Sequence, residues 1–287
     1  MTDVTMRPRY TEIDGLRIRY ATSGVGRDSQ ALLLCPWPES LYAFHLVWPR
    51  LAEDAELLAV DLPGFGHSEG RESLMTPQAM GGFVVRVADA FGFDRPHVVG
   101  PDVGTAASLY AAADHPGRFR SLVVGSGGAV TGELGGVLGQ WVSAPSVEPY
   151  RAMDPRAIVA AGVTTIEGYD LPADIEEDYL SAYDGDRFVR SMAYVRSYPE
   201  QLAALARRLS EVANPAQIIG GLWDFVVPPS NARFLHRRLP YSKLDLIDSG
   251  HFAWEENPGT YARLVTSWWG GGYRAASRDT SAAPAPR

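Results

Sequence analysis

Gly100-Pro101-Asp102-Val103-Gly104 lies between the apolar run 96–100 and the alanine-rich stretch 105–115. A strand, a Gly-x-nucleophile-x-Gly turn and a helix in that order form a sharp, strained bend that lifts one side chain above the end of a sheet. Here that side chain is an aspartate. Serine in this position suits acyl transfer. A carboxylate attacking an ester would give a reactive anhydride, so aspartate suits displacement at saturated carbon, and the implied substrates are epoxides and alkyl halides. The bland alternative for Asp102 is a helix N-cap.

The segments around this turn predict an α/β architecture. Tyr10 to Ala21 reads as a hairpin with its turn at Asp14-Gly15. Short apolar runs follow at 31–35, 57–60, 97–100, 122–124, 217–220 and 243–247, with helical patterns at 77–91, 105–114, 230–238 and 258–269 between or after them. This alternation predicts a mostly parallel, eight-stranded sheet with helices on both faces. From about 127 to 210 the rhythm breaks. That stretch is first glycine-rich and then aromatic and helical from 175 to 209, the pattern of a helical cap inserted after a strand. The expected division is a core of 1–126 and 211–270, a cap of 127–210, and a disordered tail of 271–287 rich in Gly, Ala, Ser and Pro.

A nucleophile on such a bend needs a histidine base and an orienting acid, in the chain order nucleophile, acid, histidine. His251, in Asp248-Ser249-Gly250-His251-Phe252, directly follows the last strand run. After the run 122–124 no carboxylate comes before Glu133, whereas Gly221-Leu222-Trp223-Asp224 follows the run 217–220, so Asp224 is the expected acid. The other five histidines (His45, His67, His97, His115 and His236) read as structural, and no spacing matches a metal site. No Gly-x-Gly-x-x-Gly string is present to suggest a dinucleotide, and no cofactor is expected.

Composition limits the partners. The 287 residues are 46% hydrophobic with a formal net charge of −8, which disfavours nucleic acid. One cysteine, no apolar leader and no membrane-length apolar run suggest a cytoplasmic protein that neither crosses nor binds a membrane. The expected partner is a small apolar or aromatic molecule bearing an epoxide or a halide, and a homodimer is a candidate assembly.

From about Tyr10 to Trp269 the chain resembles the epoxide hydrolase and haloalkane dehalogenase branch of the α/β-hydrolase fold. Cys35-Pro36-Trp37-Pro38-Glu39-Ser40 is similar to that branch's His-Gly-x-Pro-Glu-Ser, and Asp61-Leu62-Pro63-Gly64-Phe65-Gly66-His67-Ser68 to its Asp-x-x-Gly-x-Gly-x-Ser turn. The bend at Asp102 and the Gly250-His251 segment with Glu255 and Glu256 complete the likeness, and Pro-Glu-Ser leans towards the epoxide hydrolases. The resemblance implies an oxyanion hole made by the backbone N–H groups of Trp37 and Val103, and a covalent alkyl-enzyme ester on Asp102 that His251 hydrolyses with Asp224 behind it. It also implies cap tyrosines that donate to the epoxide oxygen. Tyr194 and Tyr183 are the candidates, with Trp141 as a further substrate-binding residue. Backbone donors and the helix N-terminus should hold the Asp102 pKa down.

The chain departs from the pattern at Cys35-Pro36, at Pro101, at Val195, and at Val103, where dehalogenases place a halide-binding tryptophan. Two alternatives stay open. One is dehalogenation by the same route, with halide held by Trp37 or Trp141. The other is an inactive ligand-binding protein.

Overall fold

In the computed structural model, residues 5–276 are described. Eight strands form one sheet: β1 (Arg9–Ile13), β2 (Leu16–Ser23), β3 (Gln30–Leu34), β4 (Glu56–Val60), β5 (His97–Pro101), β6 (Ser121–Gly125), β7 (Ala216–Gly221) and β8 (Ser242–Ile247). Their order is β1-β2-β4-β3-β5-β6-β7-β8, antiparallel at β1/β2 and β2/β4 and parallel from β4 to β8. The hairpin turns at Asp14 and Gly15, both at positive φ (54° and 70°), the backbone that a two-residue hairpin with the strands' own twist requires. β5 and β6 are buried along their whole length. That explains why they read as continuous apolar runs rather than alternating ones.

The helices of the core are α1 (Trp48–Asp54), α2 (Pro77–Ala90) and α3 (Val103–Asp114). Between β6 and β7 come α4 (Gly136–Ser143), α5 (Glu148–Arg151), α6 (Pro155–Val163), α7 (Ala173–Ser181), α8 (Arg187–Arg196) and α9 (Tyr198–Arg208). The chain returns to the core with α10 (Pro229–Arg238), α11 (Ala253–Glu256) and α12 (Pro258–Ser267). The inserted helices α4 to α9 add no strand to the sheet. No described helix is long and apolar enough to cross a membrane.

One boundary differs from the sequence reading. The first residues of the expected tail are ordered: Tyr273–Ala275 is helical, and the Tyr273 ring meets His97 edge-on at 5.4 Å. One aromatic contact onto the sheet supplies an anchor that local composition does not reveal. Residues 277–287 of that tail lie outside the described residues.

Candidate active site

The segments after the C-terminal ends of β3, β5, β7 and β8 converge above the sheet, the usual place for a site in an open parallel sheet. Asp102 follows β5 with φ 50° and ψ −121°, a left-handed backbone that a side-chain-bearing residue adopts at a cost of about 1–3 kcal/mol. Its neighbours make the bend fit. A Cβ on Gly100 would strike Ser108 Oγ and stand 2.7 Å from the Gly104 carbonyl oxygen, and one on Gly104 would press Leu34 Cβ at 3.3 Å. Only glycine lets α3 start so close to β3 and β5. Asp102 stands at the N-cap position of α3, yet its side chain makes no capping bond. That disposes of the N-cap reading.

Instead, Asp102 Oδ2 accepts the Trp37 backbone N–H at 2.7 Å. The Val103 amide also favours the ionised carboxylate, although Trp37 alone makes the full hydrogen bond. Asp102 Oδ1 lies 3.8 Å from His251 Nε2. His251 Nδ1 lies 2.9 Å from Asp224 Oδ2, and Asp224 Oδ1 accepts the amides of Val226 and Val227 at 2.9 and 2.7 Å. The acid is thereby fixed. It holds the imidazole with Nδ1 protonated and Nε2 turned towards Asp102.

All three side chains are buried, and their charges compete with that burial. Burial raises the Asp102 pKa above the ordinary carboxylate value, outweighing the lowering by His251 and by the Trp37 and Val103 amides. This corrects the expectation that the bend and the helix end hold it down: loss of solvent is the larger effect. Burial alone would lower His251, but the carboxylates of Asp224 and Asp102 win and lift it to about 9.

Trp37, Asp102, His251 and Phe252 form one wall of a cavity of about 520 Å³. The inserted helices and the turn between α5 and α6 form the other wall, through Leu138, Trp141, Tyr150, Met153 and Ile158. The Asp102–His251–Asp224 chain therefore opens into a largely apolar, ligand-sized space.

Comparison with known proteins agrees with this architecture. A family model described as alpha/beta hydrolase fold matches residues 30–153. A 2-hydroxy-6-oxononadienedioate/2-hydroxy-6-oxononatrienedioate hydrolase from Burkholderia vietnamiensis is 27% identical over 271 residues, which is 87% of this chain and 90% of that protein. A soluble epoxide hydrolase from Corynebacterium sp. (strain C12) is 35% identical over 103 residues, 36% of this chain and 35% of that protein. Among solved structures, an epoxide hydrolase from Vigna radiata superposes with a TM-score of 0.76 at 17% identity, covering 94% of this chain and 99% of that one. The chain has the α/β-hydrolase fold.

Within this α/β-hydrolase fold the expected cap tyrosines do something else. Tyr194 is fully buried on α8, and its hydroxyl donates to the Val103 carbonyl at 2.8 Å. Tyr183 donates to the Glu39 carbonyl at 3.0 Å and accepts the Gly66 amide at 3.2 Å. Neither lines the cavity, which corrects their assignment to substrate binding: both hydroxyls brace the loops beneath it. Trp141 does line it, and packs edge-on against Trp37 with ring centres 5.1 Å apart.

Tyr150 lines the cavity as well, from α5. Two further features escaped the sequence reading. Ser191 Oγ accepts the Trp37 indole N–H at 2.9 Å, so the loop that carries the Trp37 amide is held from α8 as well. Finally, Glu39 and Glu255 are buried together: Trp254 Nε1 donates to Glu39 Oε1 at 3.2 Å and the Tyr179 hydroxyl to Glu255 Oε1 at 3.0 Å. The remaining oxygens, Glu39 Oε2 and Glu255 Oε2, have no donor unless a carboxyl proton sits between the pair. Burial and then the neighbouring Glu255 raise Glu39 well above the carboxylate range, while burial raises Glu255 to about 7. Glu39 is the proton holder.

Proposed function

We propose that this chain is a hydrolase that opens an apolar or aromatic epoxide to a vicinal diol through a covalent ester on Asp102. The observation that carries this reading is the aspartate itself, on a strained bend, with one oxygen on a backbone amide and the other facing both the cavity and His251. With serine in that position the same architecture would acylate. With a carboxylate, the productive attack is on saturated carbon, where the ester formed is stable enough to persist until water cleaves it.

Asp102 Oδ1, the oxygen not tied to Trp37, attacks the less hindered ring carbon. The C–O bond breaks and its electron pair leaves on the epoxide oxygen. Esterification removes the negative charge of Asp102, one of the charges that raises His251, so the imidazolium becomes more acidic once the ester forms. Its proton passes to the alkoxide, relayed by the Tyr150 hydroxyl or by water. Neutral His251 then takes a proton from water, and the hydroxide adds to Asp102 Cγ. Negative charge develops on Oδ2, which accepts the Trp37 amide, while the Val103 amide also favours negative charge on this carboxyl group. Donors of this kind are individually worth about 2.7–4 kcal/mol in the transition state. Collapse expels the diol and restores the starting charges.

Dehalogenation by the same route would need N–H donors for a halide. Trp37 Nε1 is committed to Ser191, leaving Trp141 as the tryptophan in the cavity with no bond on its indole nitrogen among the described residues. That favours the epoxide. The direct test is Asp102→Asn assayed against a panel of aryl and alkyl epoxides that the wild type consumes. The variant should keep the wild-type circular dichroism and lose turnover, since its nucleophile is gone. Retained turnover would remove Asp102 from the mechanism.

A further inference from the structure

A second cavity, of about 590 Å³, lies on the other side of α8, between the segment 64–75 of the core and helices α5 and α8. Five arginines line it (Arg71, Arg151, Arg187, Arg190 and Arg196) against a single acid, Glu72. In a chain of net charge −8 this concentration runs against the composition.

Ion pairing does not use up the charge. Arg71 pairs with Asp14 at 3.2 Å, Arg151 with Glu148 at 3.5 Å and Arg190 with Asp186 at 2.7 Å. Arg187 and Arg196 have no carboxylate partner among the described residues. Backbone carbonyls hold them instead. Arg187 Nε donates to Ala182 O at 2.6 Å and its Nη2 to Gly66 O and Ser68 O at 2.6 and 2.9 Å, while Arg196 Nη1 donates to Ala144 O. A carbonyl orients a guanidinium without neutralising it. Both forks are therefore half-buried, fixed in place and still cationic, with Arg187 Nη1 and Arg196 Nη2 uncommitted. Such pre-oriented planar donors suit an acceptor-rich anion.

The rest of the lining is apolar, with Met75, Val147 and Val189 beside the arginines. We propose that this cavity binds a phosphorylated small molecule, its phosphate held by Arg187 and Arg196 and its apolar or ring portion set against Met75, Val147 and Val189. A tetrahedral phosphate offers oxygens on more than one face, so guanidinium forks can reach it from several directions, whereas a carboxylate confines its acceptor positions to one plane. The site is separate from the Asp102 cavity. On α8, Val189, Ala193 and Arg196 face the arginine cavity, while Phe188, Ser191 and Tyr194 face Trp37 and Val103.

Isothermal titration calorimetry with inorganic pyrophosphate at low ionic strength tests this. Wild type should bind, more weakly as salt is added, and more tightly than it binds succinate. Asp102→Asn should bind as the wild type does, so that failure of the epoxide mechanism leaves this result standing. Arg196→Gln, and independently the exposed Arg151→Gln, should each weaken binding, Arg196→Gln by tenfold or more, with unchanged circular dichroism. The proposal is overturned by no heat with wild type, by equal affinity in Arg196→Gln, or by tighter binding of succinate than of pyrophosphate.

Discussion

Replacing Glu255 with Gln should make the protein more stable at pH 8, although it alters a buried residue four positions after His251. In the folded protein burial lifts Glu255 from its ordinary 4.5 to about 7. An acid whose pKa is raised by folding binds its proton more tightly in the folded state, so stability falls as pH rises from 4.5 and the loss is complete above 7. At 1.36 kcal/mol per pKa unit, that rise amounts to about 3 kcal/mol withheld from folding at pH 8. Glutamine keeps the acceptor for Tyr179 and offers an amide towards Glu39, but carries no charge at any pH. Urea unfolding of wild type and Glu255→Gln at pH 5 and pH 8 is the assay. The variants should be nearly equal at pH 5, and Glu255→Gln should gain up to about 3 kcal/mol at pH 8. A variant that is destabilised equally at both pH values would refute the reasoning, since the carboxylate would then be a net stabilising partner.

Tyr194→Phe removes the donor to the Val103 carbonyl, and should lower stability by about 1 kcal/mol and reduce kcat while leaving KM nearly unchanged; a change confined to KM would return Tyr194 to the substrate pocket. NMR titration of the His251 ring should give a pKa near 9 in the wild type, moving down in Asp224→Asn as the partner charge is lost. Because the folded value is raised, this group stabilises the protein below about pH 6.5 and the contribution disappears as pH rises through 9. In single turnovers, formation of the ester should slow as pH falls through the Asp102 pKa, which lies above 3.8. A rate independent of pH down to that value would mean that burial does not control the nucleophile.

Much of this was legible because the chemistry sits at strand ends. Buried parallel strands are short apolar runs, so the residues that follow them can be counted off, and Asp102, Asp224 and His251 fall at three such places. The elbow added its own signature, since Gly100 and Gly104 are sterically required there. The cavity's far wall was not legible. Helices α4 to α6 begin in a glycine-rich stretch with weak periodicity, yet they supply Trp141, Tyr150 and Ile158. The buried tyrosines misled for a related reason: spacing places Tyr183 and Tyr194 in the helical region but does not say whether a hydroxyl meets a cavity or a carbonyl. The Glu39–Glu255 pair joins residues far apart in the chain, and only folding brings the two carboxyls together.

Epoxide opening by this chain depends on a covalent bond between Asp102 and substrate carbon. His251→Gln should form the ester and fail to hydrolyse it, so the variant is incubated with an aryl epoxide that the wild type consumes, and the intact protein is weighed and then digested. A gain of the whole substrate mass, located on Asp102, is the expected result. No gain of mass with such a substrate, or a gain located on any other residue, would contradict it.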